Sequence, residues 1–199
     1  ERGLYATDAP TVATGTSDAV EAHALRMDWA TAVLDISGAF FQGLATARPH
    51  LYALAPKEWR AWLIRDGWLS DNAADAGGPI YLHLLRDVPG LDQGPRSFWL
   101  ALSGALSKLG MANQDSSGNE SMPSPEERGW FSRQSQIDPC LFWVFSPDAL
   151  DQSNKIVGAP KAAIMCHVDD LRIRGTDQAV NVSCSYLCRI FEVGSDDRG

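Results

Sequence analysis

The chain has 199 residues, 45% of them apolar, and a formal charge of −8 from 17 basic and 25 acidic residues. That length suits one domain or at most two small ones, with an ordinary globular composition. The acidic balance argues against a stand-alone nucleic-acid binder, and no apolar run approaches the roughly 20 residues of a membrane span.

The first residues, Glu1-Arg2-Gly3-Leu4-Tyr5, lack the apolar core of a signal peptide, so an intracellular protein is expected. Cys140, Cys166, Cys184 and Cys188 do not make a disulfide scaffold at this length. Without His at ligand spacing they do not suggest zinc either, and reduced thiols are the default. The chain begins without Met and stops at Ser195-Asp196-Asp197-Arg198-Gly199, which reads as a piece of something longer.

The first element is a helix capped by Thr16 or Ser17, with Glu21 supporting its start and Val20, Ala24 and Leu25 at helical spacing. It leads into a strand, Thr31-Ala32-Val33-Leu34, that ends at Asp35. Gly38 and Gly43 bracket a tight excursion around Phe40 and Phe41, whose plain reading is core packing. A short strand follows over 51–54, then a helix over 58–64 carrying Trp59, Trp62 and Leu63. After a polar loop over 70–79, the run 80–85 reads as a strand. The loop 89–94 contains Pro89, Gly90 and Gly94, and Pro95 suits the first turn of the next helix. Phe98, Leu102, Ala105, Leu106 and Leu109 give that helix a 3.6-residue period as far as Gly110.

Residues 113–128 read as a mobile loop, rich in Ser, Asn, Glu and Pro. Strand signals return at Trp130-Phe131 and over 140–145, and 146–160 reads as a second mobile loop. A final helix, capped by Thr176 or Asp177, carries Val180, Cys184, Leu187 and Phe191 on its apolar side.

Between the second loop and the last helix lies Ile164-Met165-Cys166-His167-Val168-Asp169-Asp170-Leu171-Arg172-Ile173. Apolar residues and then strict alternation predict a β-hairpin with the two aspartates at its turn. An Asp-rich turn on the surface is the plain reading. Set beside a second strand that ends in Asp35, the pair also suits a hard divalent cation, which prefers carboxylate oxygens.

Four stretches, in order, resemble the reverse transcriptase of copia-type long-terminal-repeat retrotransposons. Asp35-Ile36-Ser37-Gly38-Ala39-Phe40 resembles its motif A, an Asp with an aromatic five positions later. Pro89-Gly90-Leu91-Asp92-Gln93-Gly94-Pro95-Arg96 is similar to its nucleotide-side loop, Asp138-Pro139-Cys140-Leu141-Phe142 to a further family stretch, and His167-Val168-Asp169-Asp170 to motif C. Ala9-Pro10-Thr11 falls where the family has its Pro-Thr entry. Three positions depart from the family: His167 and Pro89 each stand for a Tyr, and Asp92 stands for a Lys.

The resemblance implies an α+β fold, a palm-like antiparallel sheet with helices packed on one face. It implies a partial reverse transcriptase domain over 1–199, palm with part of the fingers, without the first finger strands, thumb or RNase H. The activity implied is RNA-directed DNA synthesis, transfer of a nucleotide from a dNTP to a primer 3′-hydroxyl with two Mg²⁺ (or Mn²⁺) ions. Asp35, Asp169 and Asp170 would be catalytic, and those three with the Ile36 carbonyl would hold metal. Phe40 would exclude a 2′-hydroxyl, Gly90 would let the backbone approach the nucleotide, and Gln93 and Arg96 would steady that loop. Implied partners are a primer–template of RNA or DNA and the rest of a polyprotein, including integrase, in a cytoplasmic particle or the nucleus. The alternatives are a palm fragment without activity and an unrelated α+β binding module. The isolated fragment is expected to be inactive.

Overall fold

A computed structural model describes residues 9–46, 48, 50–69, 78–114 and 118–198. The fold is mixed α+β, built on an antiparallel sheet. Its helices are α1 (Thr14–Arg26), α2 (Trp59–Arg65), α3 (Gly94–Leu106) and α4 (Asp177–Ile190). Its main strands are β1 (Ala30–Ile36), β6 (Phe131–Gln134), β7 (Leu141–Phe145), β8 (Ala162–His167), β9 (Asp170–Gly175) and β10 (Val193–Arg198). These six form one sheet in the order β10-β1-β9-β8-β7-β6. Two short ribbons stand apart, β2 (Tyr52–Leu54) with β3 (Tyr81–His83), and β4 (Asn113–Gln114) with β5 (Glu120–Ser121).

Strand chemistry decides which face is covered. Leu34, Ile36, Phe142, Val144, Ile164, Leu171 and Ile173 alternate onto one face and meet α3 and α4 in the main core. Phe98, Leu102 and Leu106 from α3, and Cys184, Tyr186 and Leu187 from α4, complete it. Each of these large side chains gains about 1.5–3 kcal/mol from burial. Ala163 and Met165 point the other way and pack with Val20 of α1. β8 is therefore buried on both sides, which is why its sequence is continuously apolar. Helices thus cover both faces rather than one, with α1 alone opposite α3 and α4 among the described helices that pack on the sheet.

The strands β1, β8, β9 and β10 with α3 and α4 follow a split β-α-β pattern, order β10-β1-β9-β8, extended by β7 and β6. Several expectations change. Helix α1 begins at Thr14 with Ala13 at its cap, so neither Thr16 nor Ser17 caps it. The Asp138 carboxylate reaches its N-terminus instead, accepting from the Ala13 amide at 2.9 Å. Glu21 lies mid-helix and pairs with Arg174 at 2.5 Å and Arg172 at 3.3 Å, while Leu25 is 82% exposed. Trp59 and Trp62 are about half exposed, and only Leu63 of that helix is buried.

The segment 113–128, read as a loop, carries the β4–β5 ribbon and the buried Glu127, which pairs with Arg189 of α4 at 2.6 Å. Residues 115–117 lie outside the described residues, as do 70–77 of the polar loop and 1–8 at the start. The segment 146–160 holds a short 3-10 turn, Pro147–Ala149, and an isolated bridge between Leu150 and Ile156. Thr176 does cap α4, its hydroxyl accepting from the Ala179 amide at 3.4 Å. β10 has no counterpart in the sequence reading.

Candidate functional site

The hairpin and β1 meet at one end of the sheet. Asp35 on β1 is the register partner of Asp170 on β9, and Asp170 is the register partner of His167 on β8. On its other side Asp35 pairs with Ser195 of β10, and His167 bridges to Thr11. Directly opposed residues in neighbouring strands point to the same face. The result is a row, Ser195–Asp35–Asp170–His167–Thr11, on the face that bears α1. Asp35 is half-buried, and Asp169, Asp170 and His167 are exposed.

Asp169 sits in the two-residue turn with Val168, between His167 and Asp170. Its carbonyl accepts the Ile36 amide at 3.1 Å, which ties the turn to the end of β1. Val168 has φ 55°, a left-handed conformation that costs a β-branched residue energy. Asp169 is not among the positive-φ residues, so the turn follows the II′ pattern, whose first central position favours Gly. β1 is bulged against β10 between Asp35 and Ile36. A Cβ on Gly194 would lie 3.0 Å from Asp35 Oδ2, a tight contact that the Gly on the edge strand avoids.

The nucleotide-side candidates gather around the start of α3. Gly38 has φ 53°, and the 3-10 turn Ala39–Gln42 follows it. The Phe40 ring lies 3.4 Å from where a Gly94 Cβ would stand, and a Gly43 Cβ would lie 3.0 Å from the Phe98 amide nitrogen. The excursion after β1 thus packs against the loop and first turn of α3. Phe40 is half-buried against the main core, Gln93 is buried, and Arg96 is partly buried. Gly90 has φ 92°, with open space where a side chain would be. Asp92 is exposed. Beside them Asp87 is fully buried, accepts from the Ser97 hydroxyl, and has no partner for Oδ1 among the described residues.

Asp35 and Asp170 offer hard oxygen donors of the kind Mg²⁺ and Mn²⁺ take. Among the described residues no three His, Cys, Asp or Glu side chains converge into a metal cluster. The donor set present is therefore a carboxylate pair, with Asp169 held in the turn beside it. Cys140, Cys166 and Cys184 are buried in the core, and Cys188 is exposed. Burial pushes the Cys140 thiol up to about 12 and that of Cys184 to about 12, and raises Cys166 well above the ordinary thiol range.

In this neighbourhood Asp197 was not legible in the chain, and Asp138 was legible only as part of a family-like stretch, without its role. Asp197 of β10 pairs with Val33 and shares the face of Asp35, but its strand has no apolar alternation to announce it. Asp138 holds Ala13 and Cys140 amides, each at 2.9 Å, and so fixes the entry segment whose Thr11 lies beside His167. Burial raises the Asp138 pKa, but the two amides and the Thr16 hydroxyl outweigh it and hold the carboxyl below its ordinary value. The family-like stretch 138–142 therefore has a structural use.

No family model, no curated protein and no solved structure matches the chain. Among the described residues no helix is long and apolar enough to cross a membrane.

Proposed function

We propose that the chain is the palm portion of a copia-type reverse transcriptase, and that its reaction is metal-dependent transfer of a nucleotide to a primer 3′-hydroxyl. One observation carries the reading: Asp35 and Asp170, 135 positions apart in sequence, stand opposite each other on adjacent strands, with Asp169 in the turn beside them. The split β-α-β order of strands supports it.

In this reading Asp35 and Asp170 hold divalent metal, Asp169 joins them from the turn, and the Ile36 carbonyl is a further donor. Two bound ions would supply charge stabilisation for the attacking and leaving oxygens. Phe40, braced on Gly94, excludes a 2′-hydroxyl by volume. Gly90 lets the loop backbone approach a nucleotide, and Gln93 and Arg96 hold that loop. A palm fragment without chemistry is the second reading, favoured by the charge of −8 and by Asp92 in place of a family Lys.

The test is Mn²⁺ titration by calorimetry of the wild type, Asp35→Asn and Asp170→Asn. Saturable binding lost in both variants is expected. Equal binding in all three proteins would return the aspartates to a surface turn.

A further inference from the structure

Asp35 is placed by β10 as well as by its own strand. The ladder between the two passes from Asp35–Ser195 to Ile36–Val193, so Gly194 is the extra residue of a bulge, beside the Asp35 carboxylate. We propose that Gly194 and Gln42 are positioning residues that together set where the Asp35 carboxylate stands. The consequence for metal affinity rests on the row of carboxylates being a metal site.

Gly194 bounds the carboxylate directly. Its φ is not positive, so the backbone does not call for glycine there. Gly inside a strand weakens it, and Gly on a bulge often marks a close approach. The approach here is to Asp35. A Cβ on Gly194 would stand 3.0 Å from Oδ2, 3.6 Å from Ser37 Cβ and 3.7 Å from the Asp35 carbonyl oxygen. The tightest of these contacts is with the free end of a side chain. A larger residue at 194 therefore displaces the carboxylate and spares the backbone. Glycine leaves Asp35 beside Asp170, its register partner.

Gln42 holds the bulge in place from behind. It is 8% exposed, in the 3-10 turn after β1. Its Nε2 donates to the Ser37 carbonyl at 2.6 Å and to the Glu192 carbonyl at 2.9 Å, and its Oε1 accepts from the Glu192 amide at 2.7 Å. One carboxamide thus pairs both backbone groups of Glu192, as a neighbouring strand would. The Ser37 amide donates to the same Glu192 carbonyl at 3.0 Å. These bonds fix the point where α4 passes into β10, just before Gly194, and tie it to the chain just after Asp35. None of them is to Asp35 itself, so Gln42 acts through Glu192 and Ser37. Leucine, similar in size, would leave the Glu192 amide without this acceptor.

The experiment is Mn²⁺ titration of the full chain by calorimetry, with the carboxyl-carbon NMR resonance of Asp35 read beforehand in metal-free protein. Wild type is compared with Gly194→Val, Gln42→Leu and Ser132→Ala, each checked for its fold by circular dichroism. Ser132 is the control: it is buried, donates to the Leu106 carbonyl, and lies on β6 at the opposite edge of the sheet. Gly194→Val and Gln42→Leu should each move the Asp35 resonance and weaken Mn²⁺ binding roughly tenfold or more, the usual cost of disturbing a ligand's support. Ser132→Ala should do neither, although it removes a buried hydrogen bond. If wild type binds Mn²⁺, wild-type affinity in either folded variant would overturn the proposal, as would an equal loss in Ser132→Ala. If wild type binds no Mn²⁺, the metal reading fails and the resonance decides alone. An unmoved Asp35 signal in Gln42→Leu would then overturn the proposal, and a moved one would uphold it. Should Gln42→Leu not fold, Gly194→Val is read in its place.

Discussion

At the scale of single residues, Asp138 does more for the site than its position in the chain suggests. Its carboxylate satisfies two amides, one two residues on at Cys140 and one 125 residues back at Ala13, while buried to 3% exposure. Replacing it by Ala leaves both donors without a partner, and a loss of about 2 kcal/mol in urea denaturation is expected. Asp138→Asn keeps the volume but not the charge. Because the folded pKa lies below the ordinary 3.8, the charged form stabilises the fold above that value, and the gain is lost as pH falls through the folded pKa. The stability gap between wild type and Asp138→Asn should therefore be full at pH 7 and shrink below about pH 4. A gap that is constant across that range would exclude the charge. Glu127 makes a parallel case: it is 2% exposed and paired with Arg189, so Glu127→Gln should cost about 3 kcal/mol by leaving a guanidinium without its counter-charge. Denaturant midpoints of the two proteins measure this.

At the scale of elements, the turn between β8 and β9 holds strain. Val168 at φ 55° occupies a position where Gly is favoured. Val168→Gly should raise stability by about 1 kcal/mol, even after the larger entropy of an unfolded Gly, and thermal melting reads the gain. No gain would mean that packing of the Val side chain offsets the strain. This hairpin and α3 were legible in the sequence because their signals are local. Leu171 and Ile173 alternate with Arg172 and Arg174, and Phe98, Leu102, Ala105 and Leu106 repeat on a helical period. β10 was not legible, because Val193-Gly194-Ser195-Asp196-Asp197-Arg198 is almost wholly exposed and has no apolar face. It pairs through its backbone along β1, and only the fold puts it there. The same holds for the α1 N-terminus, whose capping carboxylate comes from Asp138 rather than from the nearby Thr16 or Ser17.

At the scale of the whole molecule, the sheet gathers carboxylates at one end while the chain as a whole is acidic. Asp35, Asp170 and Asp197 share one face, and the formal charge is −8. Duplex binding draws its affinity from basic residues that displace counterions, so this chain should grip a primer–template weakly and lose it with salt. No measurable primer extension on a poly-A template with Mg²⁺ is expected from residues 1–199 by themselves. Robust extension abolished by Asp35→Asn would show that the acidic surface is no obstacle. The most direct test of the carboxylate row is where a metal goes. Substoichiometric Mn²⁺ is added to isotope-labelled protein, and amide resonances are followed by NMR. Broadening should centre on Asp35, Ile36, Asp169 and Asp170 and disappear in Asp35→Asn. Broadening centred elsewhere, or unchanged in Asp35→Asn, would contradict a metal site at the meeting of β1 and the hairpin.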